Sequence, residues 1–339
     1  MLEQLVRRRY WWFTLSIAII LPGLYFLLLH PLFTSGNAQL GLRASIDFSG
    51  GALWEIRFAE KAPNEVGSGD VAQAFGIAGF ENALVQMSQV EVDDALQANA
   101  LVRTRPLSAD TPLQERQAVE AAIGAQIGLH TIERLESVGP TVSRESTINA
   151  IIAVFGASLA ILLYLWWAFR EAPHPFRYGM CAIISMLHDV IIVVGFAALF
   201  STFNPRFEVD ALFLTALLTT LSFSVHDTIV VFDRIRENLI EQRPGETFND
   251  IVNHSLVQTL PRSINTQLTT LFTLTALLLF GGETLRNFVV VLLIGLISGT
   301  YSSIFNAAQL LVVWEHREWR TWFGRGRDKS GETPAPTAG

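Results

Sequence analysis

Residues Thr219–Asn238 read TTLSFSVHDTIVVFDRIREN. The stretch begins as an apolar membrane span and ends as a charged helix, and Asp227 arrives before the apolar run is over. A carboxylate in hydrocarbon costs roughly 2.5 to 3.5 kcal/mol on insertion scales, so an unpaired one is rarely kept without a task. On a helix, Thr220, Ser224, Asp227 and Val231 fall on one side, a polar face that should turn toward protein or water. Asp227 has two readings. In one it is the last polar group of a span that ends early, with Val230 to Phe232 as an interfacial turn. In the other it is a functional acid with a partner, and Arg262 at the start of the next span is the candidate. A guanidinium favours the charged carboxylate while desolvation favours the neutral one, so such an acid can change charge as the pair opens and closes.

With a mean hydropathy of +0.36 over 339 residues, the chain is too apolar for an ordinary soluble enzyme. Apolar runs of about 20 residues, the length that crosses a bilayer core, recur at about 10–30, 147–168, 179–200, 209–232, 263–281 and 287–314. A polytopic α-helical membrane protein with six transmembrane helices is therefore expected. Its single cysteine, Cys181 in the third run, excludes an internal disulfide. The net charge of −7 hides a segregation of signs. Acidic residues gather in the 31–140 segment, most densely at Glu91, Asp93 and Asp94. Basic residues gather at Arg7 to Arg9, at Arg170 and Arg177, at Arg234, Arg236 and Arg243, and at Arg317, Arg320, Arg325, Arg327 and Lys329. By the positive-inside rule both termini face the cytoplasm and the 31–140 segment lies outside.

Four segments follow: 1–30, the N-terminus and first helix; 31–140, an extracytoplasmic α+β domain; 141–316, helices two to six; and 317–339, a basic cytoplasmic tail expected to be disordered. Gly36-Asn37-Ala38 resembles a signal-cleavage site, but the apolar run before it is long, and an uncleaved anchor is expected. In the outer segment, Trp54, Ile56 and Phe58 alternate with Glu55 and Arg57 as in a half-buried strand, with Gly50-Gly51 as a turn before it. A helix near Asp70–Phe75 follows, then strands near 82–90 and 99–105, a helix from Leu113 to Ile127 and a strand near 130–137. That βαββαβ order predicts a ferredoxin-like sandwich. No nucleophile–base pair, metal-ligand spacing or phosphate loop is visible in it.

Other polar groups at membrane depth are candidates too. His188-Asp189 is either a polar pair satisfied by a neighbouring helix or a supporting functional site. In the fifth run Arg262, Thr266, Thr269 and Thr273 form a stripe that could line a hydrated path or bond between helices. Asp233, Arg234, Arg236 and Glu237 are spaced as i,i+3 ion pairs on a solvated helix end, which leaves room for a docking surface. Beyond a turn at Pro244-Gly245, Thr247 and Asp250 resemble a capping box, and Ile251, Leu256 and Leu260 an amphipathic helix on the membrane face. Gly295 and Gly299 make a GxxxG face for close helix packing.

Seven separated stretches resemble the SecF family of protein-export membrane proteins: DFSGG at 47–51, SVGPTVS at 137–143, LHDV at 187–190, SVHDTIVVFDRIREN at 224–238, RSINTQLTTL at 262–271, FGGETLRNF at 280–288 and GTYSSIF at 299–305. The resemblance implies half of a resistance–nodulation–division transporter, with a SecD-like subunit supplying the other six spans. It further implies use of the proton-motive force, or of sodium in some relatives, to drive or complete protein export. The partners it implies are the SecYEG translocon, translocating preproteins, YajC and membrane lipids, with no nucleic acid and no cofactor. By match of motif, Asp227 and Arg262 would couple the ion, with Asp189 in support and His226, Ser224, Thr266 and Thr269 nearby. Ser222, Phe223 and His226 stand where the family usually has Gly, Tyr and Asn, and imidazole titrates near neutral pH. Among rivals, an intramembrane aspartyl protease could use Asp189 and Asp227 but would want Gly-x-Gly where Phe223 to Val225 stand. A zinc site from His188, Asp189, His226 and Asp227 is chemically open, though no stoichiometric metal is expected. The closest rival is a small-molecule exporter of the same superfamily.

Overall fold

The computed structural model describes residues 5–35, 40–58, 61–62, 65–92, 95–170, 174–204 and 206–318. The cleavage-like Gly36-Asn37-Ala38, the Asp93-Asp94 pair and the tail from 319 onward fall outside the described residues. Two compact units divide the chain, one of Met1–Arg43 with Ala153–Gly339 and one of Ala44–Ile152.

In the smaller unit a helical turn at Ile46–Ser49 leads through Gly50 and Gly51, both at positive φ, into strand β1 (Gly51–Phe58). A Cβ at position 51 would sit 2.7 Å from the carbonyl oxygen of Thr104, so this entry needs glycine twice over. Helix α2 (Ser68–Ile77), strands β2 (Leu84–Val92) and β3 (Ala95–Thr104), helix α3 (Pro112–Gln126) and strand β4 (His130–Val138) follow. The sheet runs β2-β3-β1-β4 with every neighbouring pair antiparallel. Alternation in β1 sends Trp54, Ile56 and Phe58 into a core with Phe75 and Val71 of α2 and Val119 and Ile123 of α3. The indole of Trp54 donates to Thr104 Oγ1 at 3.1 Å, meeting its one polar atom. Opposite the helices, Arg57 donates to Glu133 at 2.6 Å and Asn99 to Glu55 at 3.0 Å.

Among the described residues six helices are long and apolar enough to cross a membrane: α1 (Val6–Thr34), α4 (Pro140–Ala168), α5 (Pro175–Phe203), α6 (Ala211–Ile240), α7 (Phe248–Phe280) and α8 (Leu285–Glu315). Their starts are chemically marked. Pro175 opens α5, Asp210 caps α6 by accepting from the Phe213 amide at 2.7 Å, and Thr247 with Asp250 closes a reciprocal capping box on α7. Two of them run beyond their apolar stretches. Helix α6 continues to Ile240 because Asp233–Arg236 at 3.1 Å and Arg234–Glu237 at 2.7 Å support its charged end. Helix α7 fuses the amphipathic segment and the fifth run into one element that carries Pro261 inside it. The expectation that 251–260 lies on the membrane face is corrected: Ile251 and Leu256 are buried with Val231, Phe232 and Ile235 of α6. Apolar burial against protein outweighs an interfacial position here.

Glycines set the tightest helix contacts. Gly295 of α8 lies against Thr220 of α6, where a Cβ would come within 1.9 Å of the threonine methyl, and Gly299 lies against Ser224. Gly23 of α1 meets Gly195 of α5 backbone to backbone, a Cβ on the first falling 2.9 Å from the Cα of the second. Single π turns at Tyr25–Leu29 in α1 and Ser303–Ala307 in α8 widen the two helices locally.

Candidate functional site

Helix α6 presents Thr220, Ser224, Asp227 and Val231 on a buried face, as their spacing predicts. The Asp227 carboxylate, in a residue 4 % exposed, accepts a 2.6 Å hydrogen bond from Gln267 Nε2 of α7. Arg262 stands five residues earlier on α7, exposed, and forms no ion pair with Asp227. Thr266 and Thr269 are exposed and donate back to carbonyls of their own helix, at 3.0 Å to Arg262 and 2.8 Å to Thr266. The polar stripe of α7 therefore turns away from Asp227. Gln267 instead shares a buried face of α7 with Leu256 and Ser263, the same i, i+7, i+11 spacing that marks the polar face of α6. Gln267 carries no charge, so an uncharged amide in an apolar run gave sequence reasoning little to seize on. His226 is exposed.

Asp189 of α5 is more elaborately held. Its residue is 2 % exposed, and Oδ1 accepts from His188 Nδ1 at 3.0 Å and from Ser298 Oγ at 2.6 Å. Oδ2 accepts from Ser224 Oγ at 2.5 Å and Ser302 Oγ at 2.6 Å. Four donors thus meet the four acceptor sites of a carboxylate, and the short hydroxyl contacts fall in the charge-assisted range. The serines come from α6 and α8, so one side chain ties three helices together. Ser298 and Ser302 stand on either side of Gly299, and their i,i+4 spacing is also that of helix packing, which is why the sequence did not single them out as ligands.

At the far end of α6, Arg234 donates to Gln258 at 2.5 Å and to Glu237, while Arg236 pairs with Asp233. These four residues are half-buried or exposed and form a charged surface continuous with the Asn238–Ser255 contact at 2.7 Å. Among the described residues no three His, Cys, Asp or Glu side chains converge as a metal site would require.

A family described as protein export membrane protein SecD/SecF, C-terminal, matches residues 120–317. The chain is 46 % identical over 334 residues to the protein translocase subunit SecF of Thermobaculum terrenum, covering 97 % of this chain and 99 % of that one. It is 43 % identical to SecF of Anaerolinea thermophila, covering 95 % and 97 % respectively. The crystal structure of SecDF from Thermus thermophilus, a translocon-associated membrane protein, superposes with a TM-score of 0.71 at 31 % identity. That alignment covers 92 % of this chain but 38 % of the longer SecDF chain. Matched nearly end to end by SecF relatives, this multi-pass membrane protein belongs to the SecF family.

Proposed function

We propose that this chain works as the SecF-type subunit of the accessory complex of Sec protein export, converting a proton gradient into movement that drives or completes export. The observation that carries the reading is Asp227, an acid buried in a membrane helix and held by a neutral amide. A carboxylate whose only hydrogen-bond donor is uncharged keeps the neutral protonated state within reach. The two α7 side chains available to it differ in kind: Gln267 is in contact, and Arg262 stands five residues earlier on the same helix. At 3.6 residues per turn the two lie about 140° apart around the helix, so exchanging the amide for the guanidinium would require α7 to turn as well as shift. The charged acid prefers the guanidinium and the neutral acid the amide, so proton binding selects between two positions of one helix. One charge crossing 100 mV supplies about 2.3 kcal/mol, enough to bias such a two-state element.

The partner reading rests on the SecDF relative, in which both subunits share one chain. For this chain a SecD-like partner supplies the other six spans, and the assembly meets SecYEG, YajC, translocating preproteins and lipids. The segregated arginines support cytoplasmic termini in the plasma membrane, with residues 31–140 outside. The order β2-β3-β1-β4 supports a ferredoxin-like reading of that outer domain, which would move against the membrane part. The charged end of α6 at Asp233, Arg234, Arg236 and Glu237 is its cytoplasmic docking surface. Ion coupling needs no catalytic residue, so no enzymatic activity is assigned. Reconstituted with a SecD-like subunit and the translocon, Asp227→Asn should abolish gradient-dependent stimulation of export while membrane insertion and SecD binding persist. Stimulation that survives in this variant would refute the role of Asp227.

A further inference from the structure

We propose that His188 is a second proton-binding site, separate from Asp227, in which the imidazole takes a proton beside a buried carboxylate that three serine hydroxyls surround. Three observations carry this. First, Asp189 accepts from four donors, three of them serine hydroxyls of α6 and α8 at 2.5 to 2.6 Å. An ionised Asp189 is an acceptor at every position, and the nitrogen facing it then carries a hydrogen, so that His188 keeps a proton on Nδ1 in both its charge states.

Second, the other ring nitrogen is free. His188 is 9 % exposed, and its Nε2 is buried without a hydrogen-bond partner. With Nδ1 fixed as donor, that nitrogen is a lone pair in the neutral ring and an N–H in the imidazolium. An asparagine amide could hold Asp189 as well and would leave no ring nitrogen over. What histidine adds is the capacity to take one proton.

Third, among the described residues no lysine or arginine pairs with Asp189; its one ion-pair partner is His188. The titratable groups around the imidazole are few. On its own helix they are Asp189 and, two turns earlier, buried Cys181. From α8 comes Tyr301, whose ring centre lies 6.2 Å away and whose hydroxyl donates to the Trp12 carbonyl. Helix α1 offers Ser16, bonded to that same hydroxyl, and α6 offers Asp227 one turn beyond Ser224. The part of α8 beyond Ser302 carries no charged side chain until Glu315. With Asp189 ionised, the cage carries one negative charge when His188 is neutral, and a proton on Nε2 cancels it.

The test needs neither gradient nor partner, so its outcome is independent of whether Asp227 drives export. The full chain, labelled with ¹⁵N-histidine, is placed in lipid nanodiscs and titrated from about pH 5 to about pH 9, the span in which histidine changes charge. His188→Asn identifies its signal among the seven histidines. We expect Nδ1 to stay protonated throughout while Nε2 titrates within the range. Asp189→Asn should lower the midpoint by about one unit or more, a tenfold loss of proton affinity. Ser298→Ala removes a competing donor from Oδ1 and should raise the midpoint, which keeps the proposal testable if Asp189→Asn fails to fold. A ring that stays neutral over the whole range, a proton found on Nε2 alone in the neutral form, or a midpoint indifferent to these substitutions overturns the proposal.

Discussion

At the scale of single residues, α7 offers two partners for one acid, and the two can be separated by substitution. Gln267 is buried and bonded to Asp227, whereas Arg262 is exposed. Gln267→Leu should cost about 1 to 3 kcal/mol of stability, because it leaves the buried carboxylate without its donor. Arg262→Ala should stay within about 0.5 kcal/mol of the parent, as surface substitutions do, yet lose gradient-driven export. Denaturation in detergent measures the first quantity, and equal losses for both variants would contradict the assignment. Asp227 and Asp189 were legible in the sequence because charge inside an apolar run is conspicuous. Their partners were not, since glutamine and serine are ordinary in spans and only three-dimensional proximity reveals what they bond. The candidate pair Asp227–Arg262 was read from charge complementarity alone, and complementarity does not say which conformation is occupied.

At the scale of elements, α6 and α8 are joined by glycines at one level and serines at the next. Gly295→Ala places a methyl 1.9 Å from the Thr220 methyl, so one helix must shift. We expect a loss of about 1 to 3 kcal/mol, the usual cost of overpacking. Adding Thr220→Ala should recover part of it, and a double-mutant cycle with no coupling would show that the helices separate freely at this level. Element types and order were legible from periodicity in both units, and the capping box at Thr247 was legible from two residues. Helix ends were not. Hydropathy reports where lipid stops, but the backbone of α6 goes on through DRIREN because i,i+3 ion pairs suit a helix in water. The same confusion split α7 in two at Pro261, although a proline can sit inside a helix whose neighbours tolerate it.

At the scale of the whole molecule, burial divides the spans. The apolar windows of α5, α6 and α8 are 50 to 56 % buried, whereas those of α1, α4 and α7 are 6 % buried, so the latter three present their sides to whatever surrounds the chain. Sidedness has a direct check. With Cys181 buried and silent, Asp110→Cys should react with an impermeant maleimide in intact cells, and Arg243→Cys only after permeabilisation. The reverse pattern would invert the assigned topology. The glycine contacts also bear on how pieces of such proteins can be exchanged. Positions 220 and 224 on one helix and 295 and 299 on another form a single fitted surface. A graft that takes one helix from a relative and leaves its mate behind would import a methyl where none can fit. These four sites should therefore be inherited together, and chimeras that break the set should misassemble whatever their remaining identity.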